Sequence, residues 1–159
     1  MSASQLLSTF WLSLTTTVGC GTCLASSFVV SVQAQPLAPS VSAAGDGTGS
    51  IVHRTEDTYT IEAGSFSDDG LNQLHSFDQF DLAPSESANF VALPTVSNII
   101  GRSNSDQASL IHGTLTITGA EAAPHLYLLN PAGILFGESA RLNLPGNFTA
   151  TTASGIGFG

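Results

Sequence analysis

Residues 126–137 read LYLLNPAGILFG, an Asn-Pro-Ala-Gly tetrad between two aliphatic runs. The tetrad fits a type I β-turn place by place. Asn at the first position bonds backbone N–H groups two residues on, Pro presets φ at the second, and Gly is favoured at the fourth. Leu126–Leu129 and Ile134–Phe136 are therefore expected to be strands meeting at a fixed corner. Turns of this composition are common, so the tetrad taken alone reads as a plain structural corner.

The sequence on either side repeats the theme. Short β-like runs occur at Tyr59–Ala63, Asn89–Leu93, Leu110–Thr118, Arg141–Leu144 and Phe148–Thr152, with Gly, Pro, Asn or Asp in nearly every gap. Leu110–Thr118 is the cleanest period-two segment, with Leu115 and Ile117 on one face and threonines on the other. One segment is ambiguous. Leu71, Leu74, Phe77 and Phe80 recur every three residues, as on a helix, while Phe80-Asp81-Leu82 alternates like a strand. Elsewhere beyond the leader no window of 11 or more residues carries a 3.6-residue repeat, so the class is all-β. Apolar runs near residues 110–117, 126–136 and 142–150 suit the stacked coils of a β-solenoid. A β-sandwich has the same strand-and-turn spacing, and pattern alone leaves both open. The final TTASGIGFG carries no polar cap, so an open core or strand edge is expected there unless further chain or a partner covers it.

Residues 1–34 contain no Asp, Glu, Lys or Arg. Apolar stretches Phe10–Leu14 and Phe28–Val32 precede Val32-Gln33-Ala34, small residues where a signal peptidase reads, and the segment is expected to be a secretory signal peptide, although it lacks a basic n-region. A membrane anchor is the alternative, but Ser, Thr, Gly and Gln interrupt every window of about 20 residues. Cys20 and Cys23 both fall in this leader; a lipid on Cys20 is a further alternative, with Thr17 in a slot that is usually aliphatic. The remaining chain has no cysteine and cannot be a disulfide-stapled module. QPLAPSVSAAGDGTGS, residues 35–50, reads as a flexible linker, and residues 51–159 as the domain proper.

The net charge of −9 is carried by three Arg, no Lys and twelve acids, all beyond the leader. Nucleic-acid binding needs a basic stripe, which is absent, and adsorption to an anionic membrane is disfavoured for the same reason. His53, His75, His112 and His125 are 22, 37 and 13 residues apart, without the spacing of metal ligands. Asp68-Asp69 and Asp78/Asp81 read as dispersed surface carboxylates, and Gly45–Gly49 as a single glycine-rich turn rather than a stacked calcium repeat. Gly137-Glu138-Ser139-Ala140 lacks the second glycine of a nucleophile elbow. No catalytic residue, metal or cofactor is expected, and no enzyme.

Residues 126–153, LYLLNPAGILFGESARLNLPGNFTATTA, strongly resemble the two-partner secretion domain (haemagglutination activity domain) at the N-terminus of filamentous-haemagglutinin-like exoproteins. The shared elements, in order, are an aliphatic strand, Asn-Pro-Ala-Gly, Ile-hydrophobic-Phe-Gly, and Gly146-Asn147-Phe148-Thr149-Ala150-Thr151-Thr152-Ala153. Upstream, Leu74-His75-Ser76-Phe77-Asp78-Gln79-Phe80, Asn98–Arg102 and Ser109–Leu115 resemble further family blocks. The resemblance implies a right-handed parallel β-helix, incomplete at its C-terminus, that begins a longer secreted or surface-exposed exoprotein of a Gram-negative-type bacterium. It also implies passage through the periplasm by the general secretory machinery, with signal peptidase. An outer-membrane β-barrel transporter with periplasmic domains is the implied dedicated partner. Export competence is implied for Asn130, Pro131 and Gly133, with Ala132 at the variable place and Ile134 as the following core anchor. His75, Phe77, Phe80, Phe136, Gly137 and Phe148 are implied structural positions. The alternative is an adhesive β-helix that binds a host-cell or surface glycan.

Overall fold

A short strand with one apolar face can bury that face only by stacking on others of its kind. The computed structural model describes residues 41–157, and there the chain forms strands and no helix. The expected signal peptide, residues 1–34, lies outside the described residues. The strands are β1 (Val41–Ala43), β2 (Ser50–Thr55), β3 (Thr58–Ala63), β4 (Ser65–Phe66), β5 (Asn72–Phe80), β6 (Ser87–Val91) and β7 (Asn98–Ser103). They continue as β8 (Ser109–Ile111), β9 (Thr114–Thr118), β10 (His125–Leu129), β11 (Ile134–Phe136), β12 (Arg141–Asn143) and β13 (Phe148–Thr151).

These strands wind into a β-solenoid of about three turns. One sheet has the order β12-β9-β6-β3-β2, a second β1-β5-β7-β10-β13, and a third pairs β11 with β8. Every pairing between successive rungs is parallel: β3, β6, β9 and β12 on one face, β5, β7, β10 and β13 on the next, and β8 and β11 on the third. Ser87 lies beside Thr114 and Thr114 beside Arg141, a rung of 27 residues each time. A sandwich, the competing expectation, is built from antiparallel sheets and does not give this pattern.

Stacking places inward residues in columns. Tyr59, Ala88, Leu115 and Leu142 form one, Ile61, Phe90 and Ile117 another, and Gln73, Ile99, Leu126 and Phe148 a third. In the first column the small Ala88 sits between the bulky Tyr59 and Leu115, which lets those rungs close up. Phe77, Phe80 and Phe90 meet at ring-centroid distances of 4.9–6.3 Å within the core of the first two rungs.

The first rung is closed from below by antiparallel strands: β2 pairs with β3, and β1 and β4 pair with β5. The stretch expected as a linker, residues 35–50, is therefore partly structured. Val41 in β1 is 2% exposed and lies opposite Phe80. A Pro-, Ser- and Gly-rich composition hid this strand because its pairing partner lies about 40 residues away. Side chains fasten the closure. Asp46 accepts from the N–H and hydroxyl of Thr48 at 3.0 and 2.6 Å, and hydrogen bonds from Ser76 and Thr48 hold its carboxyl well below the usual range. Buried Glu86 receives Arg54 Nη2 at 2.9 Å, the Tyr59 hydroxyl at 3.1 Å and the Ala83 N–H at 2.9 Å, tying the β2–β3 hairpin to the corner before β6.

Two strand boundaries differ from expectation. Leu110–Thr118 is not one strand: the chain turns a corner at His112-Gly113, and β8 and β9 belong to different sheets. A strand that changes sheets keeps its alternation across the corner, so periodicity cannot reveal the bend. The ambiguous segment is a strand, β5, interrupted by a bulge. Ser42 faces Gln79 and Ala43 faces Phe77, leaving Asp78 unpaired. The extra residue moves the inward phase from Gln73, His75 and Phe77 to Phe80; Leu71, before the strand, and Leu74, on its outer face, are exposed, so the four apolar residues mimic a three-residue repeat without sharing a face.

Replacement of Glu86 by Ala is expected to lower the unfolding free energy by about 3 kcal/mol, because it removes the buried carboxylate that accepts from the Tyr59 hydroxyl and the Ala83 N–H and the shorter of the two ion pairs of Arg54. Urea denaturation followed by tryptophan-independent far-UV dichroism measures this directly.

Candidate functional site

The Asn-Pro-Ala-Gly tetrad sits at the corner between β10 and β11. The Gly133 N–H donates to the Asn130 carbonyl at 2.9 Å, closing a four-residue β-turn. Among the described non-glycine residues only Glu56 and Ala63 have positive φ, so Ala132 does not, and a type II turn is excluded. Gly133 itself has φ 121°, a conformation side chains resist, and a Cβ there would lie 3.3 Å from the Ala108 Cβ.

Asn130 is completely buried, and its polar atoms are all engaged. Its Oδ1 accepts from the Ala132 N–H at 2.9 Å, the bond expected of an Asn opening a turn. Its Nδ2 donates to the Gln107 carbonyl and to Ser109 Oγ, each at 3.0 Å. Its backbone N–H donates to the Thr151 carbonyl at 3.1 Å. One residue thus joins its own corner to the rung before, through the side chain, and to the rung after, through the backbone. Ser109 is also buried, and its N–H donates to the Gly133 carbonyl at 3.0 Å.

Gln107 and Ala108 carry no local signal in sequence, and Ser109 is marked only as the start of a family-like block; they lie 21–23 residues before Asn130, and the rung repeat brings them beneath the turn. Pro131 and Ala132 face outward and are exposed. Pro131 lines a shallow cleft of about 310 Å³ together with Arg102, Asn104, Asp106 and Ser154. Ile134 is half-buried and packs against the core.

The other expected positions fall elsewhere. His75, Phe77 and Phe80 lie on β5 in the first rung, remote in sequence from the corner and buried in the core. The His75 ring stands 6.3 Å from Phe77 and 5.7 Å from Phe90, and neither of its nitrogens hydrogen-bonds to another protein group. Burial lowers its pKa to about 4. Phe136 and Phe148 meet edge to face at 5.7 Å in the last rung, where Phe136 remains 44% exposed. Gly137 passes directly over the His112 ring, where a Cβ would collide with it. Its N–H donates to the Ile111 carbonyl at 2.8 Å, so the glycine serves the close approach of two corners.

Two outcomes are expected. Asn130→Ala lowers stability by about 2–3 kcal/mol, since the Gln107 carbonyl and Ser109 Oγ lose their donor in a buried site; chemical denaturation reads it. His75 in the unfolded chain takes up a proton near its ordinary 6.5, whereas in the fold it does so only near 4. Its contribution is present above about pH 6.5 and is lost as pH falls towards 4, a total of roughly 3 kcal/mol. Stability of His75→Gln or His75→Phe measured across that window is expected to lose most of this slope.

A search of curated proteins returned no match. A family model described as the TPS secretion domain matches residues 36–159, which include the corner, its underside and the closure of the first rung. The chain belongs to this family, the secretion-targeting domains of two-partner secretion.

Proposed function

We propose that residues 36–159 are the export-targeting front of a surface-exposed or secreted exoprotein of the adhesin or haemagglutinin type, recognised by a dedicated outer-membrane β-barrel transporter through its periplasmic domains. The observation that carries this reading is the Asn130 corner. A completely buried amide with every polar atom bonded, spanning three successive rungs, is more than a surface corner needs.

In this reading the chain reaches the periplasm with its strands unpaired, and the transporter's periplasmic domains take up a segment by strand addition. Threonine-rich aliphatic strands without Lys present edges suited to such pairing. Outside the cell, the strands stack on the closed first rung, and burial of the aliphatic columns opposes return. Asn130 acts there as a register lock, and Pro131 and Ala132 are the part of the corner a partner can touch.

The experiment is secretion of the full-length chain in cells that carry its transporter. Asn130→Ile and Pro131→Leu are each expected to reduce the extracellular or surface fraction several-fold, with the chain retained in the periplasm. Wild-type secretion by both variants would remove the corner from the mechanism. Retention of the isolated domain on glycan columns or cells, with export unchanged, would instead favour the adhesive reading.

A further inference from the structure

We infer that Gln107-Ala108-Ser109 is the second half of the export determinant, a positioning site on the preceding rung through which the Asn130–Gly133 turn is held; this rests on the reading of that turn as an export determinant. Three hydrogen bonds carry it. The Asn130 amide donates to the Gln107 carbonyl and to Ser109 Oγ, each at 3.0 Å, and the Ser109 N–H donates to the Gly133 carbonyl at 3.0 Å. Gly133 fits closely over Ala108: a Cβ added at 133 would lie 3.3 Å from the Ala108 Cβ, so the absence of a side chain at 133 suits this alignment. The tetrad is therefore held to this tripeptide by two side-chain hydrogen bonds and one backbone hydrogen bond.

The chemistry makes Ser109 the discriminating member. Ser109 and Asn130 are both buried, 2% and 0% exposed, so neither side chain has water as a substitute partner. A turn out of register would separate the Asn130 amide from both acceptors it has on the preceding rung, a loss that is costly for a buried donor. The pair thus rejects misregistered stacking of the third rung on the second, in the same way that a single buried polar pair fixes register in other repetitive folds. The Gln107 carbonyl is a backbone group and tolerates any side chain at 107, whereas the hydroxyl at 109 cannot be replaced by an apolar group.

The test is secretion of the full-length chain in cells carrying its transporter, with Ser109→Ala, Ser109→Thr, Asn130→Ala and the Ser109→Ala/Asn130→Ala double variant. Val96→Ala serves as control, a fully buried residue outside the corner whose truncation also lowers stability. Thermal unfolding of each variant accompanies the secretion assay. Ser109→Ala is expected to reduce export about fivefold, the factor that goes with one buried hydrogen bond. Ser109→Thr, which keeps the hydroxyl, is expected to restore most of it, and the double variant to export no less than Asn130→Ala alone. Wild-type export of Ser109→Ala beside failure of Asn130→Ala would overturn the inference and leave the turn's own role standing. Equal loss by Val96→Ala at a matched fall in melting temperature would also overturn it, by reducing the effect to general stability. Normal export by Asn130→Ala would remove the reading of the turn, and the inference with it.

Discussion

A parallel stack has no intrinsic means of knowing which residue belongs above which, because a backbone ladder pairs equally well after a slip. Asn130 answers this at one corner. Its side chain is shut away from water, and it is satisfied here with its corner placed directly over Gln107 and Ser109. Burying an amide is unfavourable unless every hydrogen bond is made, so the penalty for a misplaced rung is concentrated in one residue. Gly133 and Ala108 add a steric condition to the same alignment. The aliphatic columns then supply the bulk of the stabilisation without having to specify the register themselves.

The other end of the stack poses a different problem, since the first rung has nothing beneath it. Here the chain reverses direction: β1, β2 and β4 all run antiparallel to the strands they cover, and they close the sheet edges that later rungs cover by parallel stacking. Polar side chains hold that closure in place. Glu86 gathers Arg54, Tyr59 and the Ala83 N–H, and the Arg54 guanidinium also lies 5.2 Å from the Tyr59 ring centroid. Closure below and register above are complementary: one gives a fixed first layer, the other ensures that later layers follow it in phase.

Much of this was legible in the sequence, for identifiable reasons. Tyr59–Ala63, Leu126–Leu129 and Ile134–Phe136 alternate or run apolar between strong turn residues, and each is a strand close to the expected limits. The Asn-Pro-Ala-Gly turn was legible because Pro and Gly constrain φ locally, whatever surrounds them. β1 was not, because Val41-Ser42-Ala43 has little strand character and is ordered only by the edge of β5. The break between β8 and β9 was hidden because alternation survives a corner, and β5 was ambiguous because the Asp78 bulge shifts which residues face inward.

By itself the sequence determined the class, the turn and the acidic balance of the chain: short alternating strands, Gly- and Pro-marked corners, an excess of acids and an uncharged N-terminal stretch are all local or compositional properties. Tertiary structure alone decided what Asn130 is for. An Asn before Pro is ordinarily a solvent-facing turn former, and its burial against Ser109 follows from a rung length that no local window contains. The same holds for the surroundings of His75, which lies between Leu74 and Ser76 in sequence and which stacking encloses among Phe77 and Phe90 without a polar partner. Contacts between residues a full rung apart depend on how the coils superimpose, and that superposition is a property of the folded stack.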